Sequence, residues 1–391
     1  MISEQKSKNA VKWLSGAHFI NDIYTGMLNP LMPFIAVKLS FSLVFATFII
    51  SISHVFSSVL QPLIGFYADK IKRRGFIFWG LIMTSVFISL APSVNTKSLF
   101  ILFIILGSLG SSLFHPQALG IVSDFLHKSN KDVAKWMGIF MGVGALGYSL
   151  GPLISSAIAQ FSGLEKISWC LIVGIIWALL MFKYVPKVSL LTPKEETFGF
   201  KKAFYDILSN KDLNILFFIA MVKTLISTSC SIFLPFLWKD MGYSKFYIGC
   251  ALFVFTFVGG IASVLSPIIE KKFGTKPILY FSILATCPLL LGFVLTYETA
   301  PFIALTMFVL TGAITMMASP VIMVVAQNLA PKYKSIISGF VNGFAWGVIA
   351  IIMSALGIIA QKIGITNLLV YISIIPVFSA ISIKHIKLSN N

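Results

Sequence analysis

Long apolar runs separated by short polar stretches extend along the whole chain. About twelve runs have roughly the 20 residues that an α-helix needs to cross the hydrocarbon core of a bilayer. The predicted spans are residues 11–36, 42–66, 76–94, 98–122, 136–160, 167–185, 213–237, 246–269, 277–297, 301–328, 336–360 and 367–384. Membrane barrels have short segments of alternating polarity instead. The pattern therefore predicts an all-α integral membrane protein with twelve transmembrane helices.

The longest polar segment, residues 186–212, divides the predicted spans into two sets of six. Short motifs recur across this segment at offsets of 202 to 204 residues. They are LMPF and FLPF at 31–34 and 233–236, and His115-Pro116 and Ser319-Pro320. The repeat predicts two pseudo-symmetric six-helix bundles, residues 1–185 and 213–391, with 186–212 as a cytoplasmic linker. Transporters built in this way bind substrate between their halves, near the membrane midplane.

Composition and charge agree with a membrane protein. Of the 391 residues 57% are hydrophobic and 11% charged, whereas soluble domains carry about 25% charged residues. The formal charge of +17 would suit a nucleic-acid partner, but 23 of the 30 Lys and Arg lie on one predicted side of the membrane. Positive loops mark the cytoplasmic side. We therefore expect an inner- or plasma-membrane protein in the lipid bilayer, with both termini cytoplasmic and no nucleic-acid partner.

Catalytic and metal-binding patterns are missing from the sequence. Single cysteines, in neither metal-ligand nor disulfide spacing, occur at Cys170, Cys230, Cys250 and Cys287. No Gly-x4-Gly-Lys-Ser/Thr loop is present, which is evidence against an ATP-driven pump. No Ser-His-Asp arrangement emerges either. We expect no enzymatic activity, no cofactor and no metal.

Several motifs resemble a known transporter superfamily. GFYADKIKRR (65–74) is similar to the charged loop between the second and third spans of major facilitator proteins, and GALGYSLGPL (144–153) to their Gly-Pro motif in the fifth. Three stretches resemble the fosmidomycin resistance protein family within that superfamily. They are AHFINDIYTGMLNPLMP (17–33), GSLGSSLFHPQA (107–118) and VVAQNLAPKYKSIISGFVNGFAWG (324–347).

The resemblance implies the major facilitator fold and a proton-driven exporter of small anionic compounds. It also implies that Gln327 belongs to the substrate or proton pathway. Two positions depart from the family pattern: Gln117 and Asn328 stand where the family usually has Glu. If those carboxylates help to couple protons in the family, coupling in this chain is altered or carried elsewhere.

Polar residues inside the first predicted span form one stripe. His18, Asp22, Thr25 and Asn29 recur at the spacing of one helix face. Asp22 is the only carboxylate well inside a predicted span, and such groups usually face a cavity or a partner. A desolvated carboxylate can take up a proton, which His18 one turn away could share. Alternatively, the pair ties the span to a neighbouring helix.

A second polar element, His115-Pro116-Gln117, interrupts the fourth predicted span. Proline removes a backbone donor and leaves carbonyl groups available to a cavity. Gln117 can both donate and accept hydrogen bonds. The element predicts that His115 and Gln117 contact the substrate. A kinked packing helix, in which the histidine satisfies a freed carbonyl, is the alternative.

Lys223 lies inside the seventh span and is the repeat counterpart of Asn21. A fixed cation there could hold a phosphonate, phosphate or carboxylate, or could neutralise Asp22 in the absence of substrate. Alternatively, its side chain extends to the cytoplasmic interface.

Two further groups have predicted mechanical roles. Charged loop residues could latch the cytoplasmic side, since Arg binds carboxylates in a bidentate manner; the candidates are Gly65, Asp69, Arg73, Arg74 and Asp124. Small residues of the fifth span could let two helices pack closely; they are Gly147 and Gly151, followed by Pro152.

Together these features predict a monomeric antiporter that exports a small anionic compound in exchange for protons. A permease for a polycarboxylate, a siderophore or a sugar-like solute, working in either direction, is an alternative. An integral-membrane enzyme or a lipid flippase is an alternative from another class.

Overall fold

The computed structural model describes residues 4–61, 64, 75–128, 133–185, 200–331, 337 and 339–386. Within these residues every regular element is helical and none is a strand. Long helices satisfy their own backbone N–H and C=O groups, which a bilayer core without water requires. The prediction of an all-α membrane protein is confirmed.

Fifteen α-helices are assigned among the described residues. They are α1 (Glu4–Gly26), α2 (Met32–Lys38), α3 (Leu43–His54), α4 (Gly75–Leu90), α5 (Lys97–Lys128), α6 (Val133–Phe161), α7 (Leu171–Tyr184), α8 (Phe200–Ser209), α9 (Lys211–Asp240), α10 (Lys245–Phe273), α11 (Thr275–Leu284), α12 (Thr286–Thr296), α13 (Pro301–Leu329), α14 (Ala345–Ile363) and α15 (Ile365–Ile383). Turns of 3-10 helix occupy Asn29–Leu31, Ala91–Ser93 and Leu164–Cys170, and π-helical turns occupy Val55–Val59 and Gly339–Phe344.

Ten helical segments among the described residues are long and apolar enough to cross a membrane. The segment Leu43–Val59 is apolar but shorter, and α1 carries His18, Asp22 and Thr25 of the polar stripe in the first predicted span. These two account for the remaining predicted spans, so the number of helices agrees approximately with twelve. The first span is interrupted after Gly26, and Pro30 and Pro33 are the second residues of the next two helical pieces. Proline is tolerated there because the first N–H groups of a helix have no intrahelical partner.

The chain forms two compact units. The first comprises Met1–Pro193 with Trp238–Phe253, and the second Lys194–Leu237 with Val254–Asn391. The division into 1–185, 186–212 and 213–391 stays a prediction. Residues 186–199 of the linker lie outside the described residues, and α8 forms most of the remainder.

In the first unit, α4 packs along α5 and α1 packs along α6. The apolar core of this unit includes Leu14, Phe114, Phe125 and, from α7, Ala178, each 0% exposed. In the second unit, α13 and α15 both pack against α11 and α12. Its core is formed around Leu216, Ile219, Leu279 and Ile383.

Four interhelical turns repeat at matching positions in the chain. Ser40 and Gly242, 202 residues apart, have φ angles of 53° and 83°. Gly163 and Gly364, 201 residues apart, have φ angles of 98° and 87°. Positive φ values are uncommon outside glycine, so two such pairs near one offset reinforce the internal repeat.

Candidate functional site

His18, Asp22 and Thr25 of the polar stripe lie on α1, on the side that packs against other helices, whereas Asn29 lies in the 3-10 turn beyond Gly26. The side chains of His18 and Asp22 are 4% and 13% exposed, and Asn21 is fully buried. Buried polar groups are normally hydrogen-bonded because leaving them unpaired is costly. The hydrogen-bond partners of these three residues therefore indicate their role.

His18 is held in one orientation by α6. Its Nδ1 donates a hydrogen bond to the carbonyl oxygen of Phe140 at 3.0 Å, and its ring stacks on the Phe140 ring with the centroids 4.3 Å apart. The other ring nitrogen, Nε2, therefore faces the Oδ2 of Asp22, 3.2 Å away. An unprotonated nitrogen and a carboxylate oxygen are both acceptors. A proton or another cation must lie between them.

The second oxygen of Asp22 faces a histidine from a different helix. His115, on α5, has its Nε2 3.3 Å from Asp22 Oδ1. The Asn21 amide donates to the same oxygen at 3.1 Å and lies 3.4 Å from His115 Nε2. We call His18, Asn21, Asp22 and His115 the Asp22 cluster. Its arrangement can hold and share at least one proton.

The Asp22 cluster has a spacing that a metal ion could also use. The ligand atoms of His18, Asp22 and His115 lie within 4.8 Å of one another. Imidazole and carboxylate groups are common ligands of transition metals. Sequence spacing did not reveal this group, because His115 is 93 residues from Asp22.

Helix α6 packs closely against the Asp22 cluster. A Cβ atom added to Gly144 would collide with the His18 ring and would come within 2.8 Å of Asp22 Oδ2. Further along α6, a Cβ on Gly147 or Gly151 would collide with carbonyl oxygens of α1, and Pro152 follows directly. Glycine at these positions allows α6 to approach the backbone of α1 and to confine the two side chains.

Lys223 is buried in the second unit, with 8% of the residue exposed. Its Nζ donates to the Oγ of Ser319 at 2.7 Å. A small cavity adjoins it, lined by Ala220, Lys223, Thr224, Ser319, Ile322 and Val341. No carboxylate of the described residues lies within 4.0 Å of Nζ. An ammonium group has three donors, so two remain for other partners. The cavity, at about 10 Å³, has room for about one water molecule, so an anion would need it to widen.

The two polar sites occupy equivalent positions in the repeat. Lys223 corresponds to Asn21, and Ser319, which precedes a proline in α13, corresponds to His115. The structure brings each pair into contact within its own unit, Lys223 with Ser319 and Asn21 with His115. One unit thus carries an acid with two imidazoles, and the other carries a cation, at matching places.

Gln117 lies apart from the Asp22 cluster. Its amide is buried, the residue being 3% exposed, and neither amide atom has a hydrogen-bond partner among the described residues. It follows His115 by two positions, which places it about 200° around the helix. The serines near His115 bind α3 and the turn after it: Ser108 contacts the Ser53 hydroxyl at 2.8 Å, and Ser112 donates to the Phe56 carbonyl.

The remaining predicted residues are placed only in part. Gly65, Asp69, Arg73 and Arg74 lie outside the described residues, as does the side chain of Asp124 on α5. Gln327 is half-buried on α13. The latch and the role of Gln327 stay predictions.

Comparison with known proteins identifies relatives along nearly the whole chain. The family model of the Major Facilitator Superfamily matches residues 14–354. The chain is 25% identical over 387 residues to the fosmidomycin resistance protein of Escherichia coli (strain K12), covering 95% of this chain and 91% of that protein. It is 26% identical over 376 residues to the uncharacterized MFS-type transporter YfnC of Bacillus subtilis (strain 168), covering 93% and 90%.

A solved structure shows the same fold. It is that of a bacterial homolog of the human lysosomal transporter Spinster, in an inward-facing and unoccupied conformation. The two chains align with a TM-score of 0.75 at 16% identity, over 100% of each.

Proposed function

Because the chain belongs to the Major Facilitator Superfamily of membrane transporters, we propose that it is an antiporter that exports a small anionic compound in exchange for protons. The observation that carries the proposal is the contact of both Asp22 oxygens with imidazole nitrogens, at 3.2 and 3.3 Å. Such a group binds protons inside a membrane-spanning helix bundle, where ionisable residues usually serve transport.

The anion requires a cation, and Lys223 supplies one. Its ammonium group is buried beside a cavity and has no carboxylate partner among the described residues. An unpaired buried charge is expensive, so an anion would bind favourably to Lys223 in a conformation of the transporter in which this cavity is wider. Proton and substrate occupancy would be linked if each favours a different conformation of the transporter.

The proposed substrate class follows from this cation and from the named relative. A fosmidomycin-like phosphonate or a related metabolite would present the negative charge that Lys223 needs. Gln117 and Asn328 are neutral, whereas the family that this chain resembles usually has Glu at both positions. Asp22 is therefore left as the proton carrier. A permease for a polycarboxylate, a siderophore or a sugar-like solute remains the second candidate, because Lys223 would hold any carboxylate.

The proposal includes the orientation and assembly of the protein. The concentration of Lys and Arg in alternate loops supports cytoplasmic termini in a cell membrane. We propose a monomer, since each transport pathway of this fold lies between the two halves of one chain.

Transport into inverted membrane vesicles tests the proposal directly. Fosmidomycin, methylphosphonate, citrate and an uncharged sugar are offered with the vesicle interior made acidic and then with the gradient collapsed. We expect uptake of a phosphonate that requires the pH gradient. Uptake of citrate or of the sugar alone would favour the second candidate, and uptake indifferent to the gradient would contradict proton exchange.

A further inference from the structure

The short helix α8 has an exposed apolar surface beside a membrane-spanning helix. Tyr205 and Leu208 are 73% and 44% exposed, whereas Ile207 between them is 2% exposed and packs into the core of the second unit. Lys202 is exposed on the same helix. One side of α8 therefore anchors it to the protein, and the other presents apolar and basic groups outward, together with the acidic side chain of Asp206.

Side chains at the end of α8 fix its position relative to α9. The Oδ1 of Asn210 accepts hydrogen bonds from the backbone N–H groups of Asp212 and Leu213, at 3.0 and 3.2 Å, and so caps α9. The amide of Asn214 donates back to the carbonyl oxygen of Leu208 at 2.6 Å. Since α9 is a membrane span that begins at Lys211, α8 is held at the level of a membrane surface.

The net positive charge of the segment around α8 favours an anionic membrane surface. Residues 183–211 contain six lysines and three acidic residues. Basic residues next to a span are attracted to anionic lipid headgroups, and an amphipathic helix with a basic polar side lies in the membrane interface. A neutral headgroup would use the apolar side chains and leave the excess positive charge without a counterion.

We propose that α8 is an interfacial helix that binds anionic phospholipid, with Tyr205 and Leu208 at the boundary of headgroups and acyl chains and with Lys202 on the phosphates. The lipid contact is separate from the substrate and proton sites. It holds whether or not the chain exports an anion.

Fluorescence quenching in vesicles of defined composition tests this contact. The full chain with Tyr205→Trp is reconstituted into phosphatidylcholine mixed equally with phosphatidylglycerol, with bromine on the acyl chains of one lipid or the other. The signal of residue 205 is the difference from the unsubstituted protein. We expect brominated phosphatidylglycerol to quench this signal at least about twofold more than brominated phosphatidylcholine.

Charge variants show whether the preference belongs to α8. Lys201→Gln with Lys202→Gln should bring the two lipids to equal quenching. Lys271→Gln with Lys272→Gln, which removes an exposed lysine pair elsewhere, should leave the preference intact. Equal loss in both pairs, or a preference that survives in the first, would overturn the proposal. Quenching of the residue 205 signal by aqueous iodide but not by brominated lipid would overturn the proposal too, because the helix would then face water. Protection of this signal from both quenchers would also overturn it, because the helix would then face another protein segment.

Discussion

Lys223 donates a 2.7 Å hydrogen bond to Ser319, and these residues are the repeat counterparts of Asn21 and His115, which also touch each other. The corresponding positions of the predicted repeat thus differ in their electrostatics. In the first unit they surround a carboxylate, and in the second they present a cation to a cavity. A transporter that exchanges protons for an anion needs both.

The cation site predicts a selective loss of anion affinity. Lys223→Met removes the charge but keeps an unbranched side chain, so transport of the phosphonate should show a KM raised by about 10- to 100-fold, the range for hydrogen bonds to charged groups. Ser319→Ala should have a smaller effect in the same direction. Lys239→Met, at a partly exposed lysine paired with Asp240, is the matched control and should leave KM unchanged. An unaltered KM in Lys223→Met would remove the anion role.

Packing between α1 and α6 predicts that one added methyl group disturbs proton coupling. Gly144→Ala would force the new Cβ against His18 and Asp22, whereas the Cβ of Gly142→Ala meets nothing within 4 Å. We expect pH-driven transport to fall at least about tenfold in the first variant and to persist in the second. Thermal unfolding of both, measured in detergent, separates a local effect from loss of the fold. Equal transport by the two variants would show that the close approach is irrelevant to coupling.

Part of this site could be predicted from the sequence, and the rest depends on tertiary packing. His18 and Asp22 are one helical turn apart, so their contact follows from helix periodicity alone. His115 is 93 residues from Asp22, and only the packing of α5 beside α1 brings its ring to the carboxylate. The interruption of the first span after Gly26 could likewise not be predicted from hydropathy, because a hydropathy pattern carries no information on local turn geometry.

An acid introduced at position 117 should change the pH dependence of transport. The Gln117→Glu side chain would be buried where neither amide atom is hydrogen-bonded, and it would add a second group able to bind a proton. The pH of half-maximal transport should shift, while the amount of folded protein stays the same. Gln361→Glu, at an exposed position, serves as the control. A profile identical to that of the unsubstituted chain would exclude Gln117 from the proton pathway.

Chelation distinguishes the two possible occupants of the Asp22 cluster. If the histidines and the carboxylate share a proton, removal of metal ions with EDTA should leave transport and its pH dependence unchanged. The measurement is vesicle uptake before and after dialysis against the chelator, with readdition of Zn²⁺. Loss of transport that Zn²⁺ restores would mean that the cluster holds a metal ion.

The central claim is that Asp22 carries the proton that drives anion transport. Its most direct test is uptake of the transported phosphonate into proteoliposomes of Asp22→Asn with and without an imposed pH gradient, beside Asp240→Asn as a control for loss of an exposed carboxylate. The account predicts that Asp22→Asn still binds the phosphonate but does not accumulate it in response to the gradient, while the control does. Accumulation by Asp22→Asn against a concentration gradient, driven by pH, would contradict the account.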